Sequence, residues 1–166
     1  MGNASRHGSP RVHQGWETRS HFKSALINKI MTEKWILLVF EDGIFPEESI
    51  CYAIKLAERI DCSISMLMLK TNEDETSQDE ILERERIQKI VDKMKAKGVM
   101  ARGEVCYGDK ASEFIKHLTS IPTLTTIVWG GREGILPDDG KKKADRWFLK
   151  VKSNVRCPVV RPSLRS

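Results

Sequence analysis

The chain has 166 residues, of which 40% are hydrophobic and 31% charged. A length near 150 residues suits one domain around a single core, so two full domains are excluded. The net charge of +5 is unevenly spread, because residues 35–140 hold 13 basic and 20 acidic side chains while residues 141–166 hold nine basic and one acidic. The body is therefore acidic, and the excess of positive charge belongs to the ends.

The chain lacks several features that would assign it to another protein class. No run of about 18 apolar residues occurs, so we expect no membrane span. The first thirty residues lack the apolar segment of a secretory signal, so we expect a cytoplasmic protein. The cysteines have no Cys-x-x-Cys pair and no histidine at ligand spacing, which favours buried, reduced thiols and no structural metal. They are Cys51, Cys62, Cys106 and Cys157.

Residues 1–30 differ from the rest in composition. The first fifteen mix Gly, Ser, Asn, His, Arg and Pro without apolar periodicity, which indicates a partly disordered N-terminal extension. Phe22, Leu26 and Ile30 recur every fourth residue and predict one short amphipathic helix. We therefore place the domain at residues 31–162 and a tail at 163–166.

From Trp35 onward, apolar runs alternate with helical periodicity. The predicted strands lie at residues 35–40, 63–69, 101–107, 124–129 and 157–160. An acidic polar stretch at residues 71–80 separates the second strand from a long helix that ends at Gly98. The apolar positions of the four helices are Ile50, Ile54, Ala57 and Ile60; Ile87, Ile90, Val91 and Met94; Ala111, Phe114, Ile115 and Leu118; and Ala144, Trp147, Phe148, Val151 and Val155.

This alternation predicts an α/β fold with a five-stranded parallel sheet and helices on both faces. Such sheets bind ligands beyond the carboxyl ends of their strands. The segment after the fourth strand, Gly130-Gly131-Arg132-Glu133-Gly134, is a candidate, since glycines allow the backbone to approach a ligand closely.

Four segments together resemble the universal stress protein family, which has an adenine nucleotide alpha-hydrolase-like fold. They are ILLVFEDG at the first strand, VCYGDKASEFI from Val105, IVWGGREG at the fourth strand and RCPVVRP near the end. The resemblance covers residues 35–162, about three-quarters of the chain. It implies the strand order 3-2-1-4-5, a homodimer in which the last strands meet, and often a bound adenine nucleotide.

Nucleotide-binding members of that family carry Gly-x-x-Gly, nine further residues, and then Gly-Ser or Gly-Thr around the phosphates. Gly131 and Gly134 fit the first half of this motif. The second half falls on Ala144-Asp145, where a methyl group narrows the approach and a carboxylate would repel phosphate oxygens. The resemblance thus implies a phosphate site that is incomplete in this chain.

Two compensations remain open at this site. Lys141, Lys142 and Lys143 would neutralise phosphates by their charge, or Gly140 would replace the missing glycine. Family members also place an acid near the base and ribose after the first strand. Here the acid is Glu41 or Asp42, and the sequence does not decide between them.

We therefore predict a regulatory or stress-response homodimer with a degenerate or weak pocket for ATP or AMP and no robust catalysis. The alternative is a functional ATP- or AMP-binding universal stress protein with weak nucleotide hydrolysis. We expect His117 to be an ordinary surface residue. We also expect the last helix to turn its aromatic side chains toward the sheet and its basic groups toward water, which argues against a nucleic-acid interface. Any protein partner and the physiological trigger stay unidentified at this level.

Overall fold

The computed structural model describes residues 23–24, 33–71, 76–131 and 147–162. The chain divides into two units, residues 1–32 and residues 33–166. Only residues 23 and 24 of the first unit are described, and both are helical. The rest of the predicted extension and the tail lie outside the described residues, so the predicted domain limits stay a prediction.

The second unit alternates strands and helices throughout the described ranges. Its elements are β1 (Trp35–Glu41), α1 (Glu47–Ile60), β2 (Ser63–Lys70), α2 (Ser77–Ala96), β3 (Ala101–Tyr107), α3 (Lys110–Thr119), β4 (Leu124–Trp129), α4 (Trp147–Val151), a 3₁₀ turn (Lys152–Asn154) and β5 (Val159–Val160). All strand pairs are parallel, in the order β3-β2-β1-β4-β5. The predicted fold class and strand order are confirmed.

The central strand β1 supplies both cores of the unit. Ile36, Leu38 and Phe40 face one way and pack with apolar side chains of α1 and α2. Leu37 and Val39 face the other way and pack with α3 and α4. Successive side chains of a strand point to opposite faces, so a continuous apolar run is the pattern that a doubly covered strand requires.

Two helices differ from the sequence-based expectation, α1 in its apolar face and α2 in its first residue. In α1, Ala53 is buried while Ile60 is 38% exposed, so the predicted apolar stripe is wrong at its last position. Helix α2 begins at Ser77, inside the acidic polar stretch that was expected to precede the helix, because Thr76 and Asp79 form a capping box. That box satisfies free backbone N–H groups of the first turn and permits a helix start in a polar segment.

The C-terminal helix ends earlier than predicted. Within the described residues, α4 spans Trp147–Val151, and Val155 lies beyond it and beyond the 3₁₀ turn. Phe148 and Val151 are buried against the sheet, whereas Lys150 and Lys152 are exposed, which confirms the predicted orientation. Strand β5 is limited to two residues.

The four cysteines are free thiols in different environments. Cys62 is buried and Cys106 and Cys157 are half-buried, but Cys51 is exposed on α1, so the expectation of buried thiols is wrong there. Burial raises the pKa of Cys106 to about 11 and also raises that of Cys157. Separately, none of the helices described here is long and apolar enough to cross a membrane.

Candidate functional site

The carboxyl ends of β1 and β4 meet at the point where the strand order reverses. Strand β1 is followed in the chain by β2 on one side, whereas β4 lies on its other side. Val39 is in register with Trp129, and the N–H of Gly130 donates to the carbonyl of Val39 at 2.8 Å. Glu41 ends β1 beside Gly131, so the fold brings these two predicted site residues together at the position where open parallel sheets bind ligands.

The carboxylate of Glu41 is buried and already has partners. Its Oε1 accepts a hydrogen bond from Lys110 Nζ at 3.2 Å and another from the Trp147 indole N–H at 2.8 Å. Lys110 is the first residue of α3 and Trp147 belongs to α4, so both donors come from the helices on one face of the sheet. A buried carboxylate with charged and neutral donors is far better stabilised than one left alone.

Asp42 shares the same ammonium group. Its Oδ1 lies 3.0 Å from Lys110 Nζ, and its side chain is more exposed than that of Glu41. Burial lowers the pKa of Lys110, but the charges of Glu41 and Asp42 outweigh this effect, so the pKa is raised. The site therefore holds two carboxylates and one retained positive charge.

A tight turn sets the direction of the Asp42 side chain. Asp42 and Gly43 both adopt left-handed backbone conformations, with φ of 54° and 72°. The N–H of Asp42 donates to the carbonyl of Leu69 at 3.1 Å, which ties the turn to the end of β2. The left-handed backbone favours glycine at residue 43, and a Cβ there would lie 2.7 Å from Glu83 Oε1, so that side chain would have to move.

Gly131 has no free space above its Cα. A Cβ there would collide with Glu41 Oε2 and lie 2.6 Å from Trp129 Nε1. The neighbouring Gly130 would meet the ring of Phe40 at 2.5 Å. In the described structure, the glycines allow close packing of the protein's own side chains.

Aromatic rings form the floor of this site. Trp129 packs on Phe148 with ring centroids 4.8 Å apart, and Trp147 packs edge-on against Phe114 at 5.4 Å. The indole N–H of Trp129 is buried without a hydrogen-bond partner in the described structure. The acidic end of β1 thus lies on a rigid, largely apolar support.

The other predicted site residues lie outside the described residues. They are Gly134, Lys141, Lys142, Lys143, Ala144 and Asp145, and the choice between the lysines and Gly140 as compensation is untested. Lys110 was missed by sequence reasoning, although it follows the third strand and so had to lie at the carboxyl edge. Trp147 was assigned only to the core, because apolar periodicity carries no information about its indole N–H.

His117 is not on the surface, so that expectation is wrong. It is buried, with Nε2 at 2.9 Å from Ser65 Oγ and Nδ1 at 3.1 Å from Glu104 Oε2. The pattern of α3 placed Phe114 and Leu118 on the sheet. His117 stands between them in the sequence and is buried on the same side of the helix. Among the residues described, no three His, Cys, Asp or Glu side chains are grouped so as to hold a metal ion.

Comparison with known proteins gives structural matches only. No protein-family model matches the sequence. No curated protein matches it either. Among solved structures, a universal stress protein family member from Burkholderia pseudomallei is 18% identical, with a TM-score of 0.51 over 76% of this chain and 94% of that one.

Two further solved structures agree with this match. The universal stress protein from Archaeoglobus fulgidus in complex with dAMP is 13% identical, with a TM-score of 0.55 over 79% of this chain and 98% of its own. UspA from Lactobacillus plantarum is 11% identical, with a TM-score of 0.54 over 80% and 99%. The chain therefore has a universal stress protein-like fold, as the sequence motifs indicate.

Proposed function

We propose that this protein is a cytoplasmic, universal stress protein-like regulator of the stress response, a homodimer whose adenine-nucleotide pocket is degenerate or weak. The observation that carries the proposal is that the carboxylate of Glu41 already accepts two hydrogen bonds. Its carboxylate is bound by Lys110 and Trp147, which belong to the protein itself. A nucleotide that bound to Oε1 would have to compete with both donors.

The position of the second Glu41 oxygen supports the same conclusion. Oε2 lies directly over the Cα of Gly131, the first glycine of the expected phosphate motif. A phosphate oxygen brought against this backbone would meet a negative charge at short range, and such repulsion is strong where water is excluded. One solved neighbour is a complex with dAMP, which makes an adenine nucleotide the ligand class to test.

The sequence adds a second negative charge to the expected phosphate site. Asp145 stands where the family motif has Ser or Thr, and Ala144 stands where it has Gly. Lys141, Lys142 and Lys143 precede them and offset part of this charge. Weak binding of ATP or AMP is the expected balance, with Glu41 or Asp42, Gly131 and Gly134 as the remaining contacts.

Isothermal titration of ATP and AMP into the protein with Mg²⁺ tests the proposal. We expect the wild type to show no saturation below millimolar nucleotide and Asp145→Ser to bind measurably, since it removes the repelling charge and restores the hydroxyl. Asp139→Ser is the matched control, because it removes one charge from the same segment outside the motif positions. If neither protein binds, Asp145 is not the reason for weak binding.

Saturation of the wild type at micromolar nucleotide would contradict a degenerate pocket. That result would favour the alternative, a functional ATP- or AMP-binding protein with weak hydrolysis. The alternative further requires ATP turnover by the purified protein that is lost on Asp42→Ala.

The homodimer part of the proposal rests on strand β5. It is an edge strand of two residues, Val159 and Val160, and both are only half-buried. An apolar sheet edge with unpaired backbone groups is a natural surface for a second copy of the chain. We expect two copies to meet along this edge.

A further inference from the structure

A chain of polar groups crosses the layer between the sheet and α3. Arg102 Nε donates to Ser65 Oγ at 3.3 Å, Ser65 Oγ lies 2.9 Å from His117 Nε2, and His117 Nδ1 lies 3.1 Å from Glu104 Oε2. Ser65 is fully buried on β2, whereas Glu104 is exposed on the edge strand β3. This series of hydrogen bonds therefore links strands β2 and β3 to helix α3 through the imidazole of His117.

The donors and acceptors fix the protonation state of the imidazole. Arginine can only donate, so the Ser65 oxygen accepts from Arg102 and its hydroxyl hydrogen is free to go to His117 Nε2. His117 then carries its proton on Nδ1 and donates it to Glu104. A neutral His117 satisfies every group of the chain.

The order serine, histidine, carboxylate is that of a hydrolytic triad, but these residues cannot act as one. Ser65 lies in the middle of a central strand without exposed surface. Its oxygen accepts from Arg102, and no substrate carbonyl could reach it. This series of hydrogen bonds is instead a structural link between α3 and the sheet.

Protonation of His117 would break this arrangement. A hydrogen on Nε2 would face the Ser65 oxygen, and the hydroxyl hydrogen of the fully buried Ser65 would lose its acceptor, which is costly for a buried polar group. Burial lowers the pKa of His117, Glu104 raises it and Arg102 lowers it, and the pKa is lowered overall. The imidazole therefore stays neutral near pH 7 and resists protonation below it.

We propose that His117 is a pH-sensitive latch that holds α3 on the sheet, and with it Lys110 on Glu41 and Asp42. Lys110 is the first residue of α3 and His117 lies two turns further along the same helix. When His117 becomes protonated, α3 loosens and the two carboxylates at the end of β1 lose their ammonium partner. The latch follows from contacts of α3 with the sheet and does not depend on nucleotide binding.

The charged groups around His117 are few. Glu104 and Arg102 approach it from β3, and β2 contributes the neutral Ser65. On α3 itself, Glu113 and Lys116 pair with each other. Helix α4 packs on α3 through aromatic rings and adds no charged group to this chain within the described residues. Glu104 and Arg102 are therefore the levers for a test.

The experiment combines histidine NMR with hydrogen exchange of the full chain between pH 5 and 8. We expect the His117 ring to titrate below pH 6.5 and the amides of residues 110–119 to exchange faster as it does. After correction for intrinsic rates, the opening of α3 rises up to about tenfold per pH unit within the titration window. His117→Gln removes this dependence, whereas the control His13→Gln, in the N-terminal extension, leaves it intact.

Two surface-directed variants keep the latch testable if His117→Gln fails to fold. Glu104→Gln removes the charge that favours imidazolium and lowers the His117 midpoint, while Arg102→Gln removes a like charge and raises it. The α3 exchange midpoint moves with the ring midpoint in both variants. A His117 midpoint at or above 6.5, or exchange of residues 110–119 that is independent of its titration, overturns the proposal.

Discussion

Trp147 donates its indole N–H to Glu41 Oε1 at 2.8 Å, although 106 residues separate the two in the chain. The bond joins α4 to the last residue of β1. Because the acceptor is a buried carboxylate, the contact holds the end of the first strand and the last helix in one geometry. A ligand that approaches Oε1 at this edge therefore meets an oxygen that Trp147 and Lys110 already bind.

The first prediction concerns this hydrogen bond. Trp147→Phe keeps an aromatic ring against Phe114 but leaves Glu41 with one donor fewer. A hydrogen bond to a charged group contributes about 1.5–3 kcal/mol, and we expect a loss of stability of that order. Urea unfolding followed by circular dichroism measures it, and a change below about 0.5 kcal/mol would show that water replaces the indole.

The second prediction concerns Lys110. Lys110→Met removes the ammonium shared by Glu41 and Asp42 and leaves a buried carboxylate without its charge partner. Loss of one partner of a buried pair costs about 3–5 kcal/mol, and partial exposure of Asp42 places the expected loss near the lower end. Lys116→Met on the same helix is the control, since its pair with Glu113 is 70% exposed on the lysine side and solvent screening leaves such a pair little effect on stability.

The third prediction is the pH dependence of the same ion pair. The pKa of Lys110 is raised in the folded protein, so its contribution is fully present below the unfolded value of about 10.4. It is lost as the pH rises through the folded pKa. The difference in unfolding free energy between wild type and Lys110→Met should therefore narrow only above about pH 10.4. A difference that is constant through this range would contradict the raised pKa.

The fourth prediction concerns Gly131. In Gly131→Ala the new methyl group must displace Glu41 Oε2 or the Trp129 indole. Overpacking of this kind costs about 1–3 kcal/mol, and we also expect a change in tryptophan fluorescence because Trp129 and Trp147 share the site. Wild-type stability and an unchanged spectrum would show that the loop moves freely away from Glu41.

The fifth prediction concerns assembly. We expect light scattering to give a mass near twice 18.9 kDa for the wild type and near 18.9 kDa for Val160→Lys. A lysine on a short edge strand is an effective barrier to pairing between sheets. Met100→Lys, at an exposed position preceding β3, is the control and should leave the mass unchanged. A wild-type monomer at micromolar concentration would contradict the dimer.

The fold could be predicted from the sequence because its signals are local. The apolar run of β1 and the alternation of strand and helix are signals of this kind, and they predict a parallel sheet covered on both faces. The strand order came from the resemblance to the universal stress protein family. The start of α2 could not be predicted from apolar spacing, since the capping box at Thr76 is a polar signal. The sequence signal for a short edge strand such as β5 is equally weak, because so few residues carry it.

The site could be predicted only in part because its partners are distant in the chain. Lys110 is 69 residues from Glu41, and no spacing rule links them. His117 looked like a surface residue because its hydrogen-bond partners, Ser65 and Glu104, come from strands β2 and β3 and are distant from it in the chain. A buried polar side chain becomes recognisable only when the groups that satisfy it are known.

The division of β1 between two cores sets a strict limit on its length. Deletion of one residue between Trp35 and Phe40 would shift the register of the strand by one residue. Side chains such as Leu37 and Val39 would then face the core that Ile36 and Leu38 fill, and those two would face the opposite core. Both hydrophobic layers would be mispacked by a single event, while Glu41 would turn away from Lys110. A substitution in this strand affects the hydrophobic core on one face of the sheet. A one-residue deletion within the strand disrupts both cores and the site together.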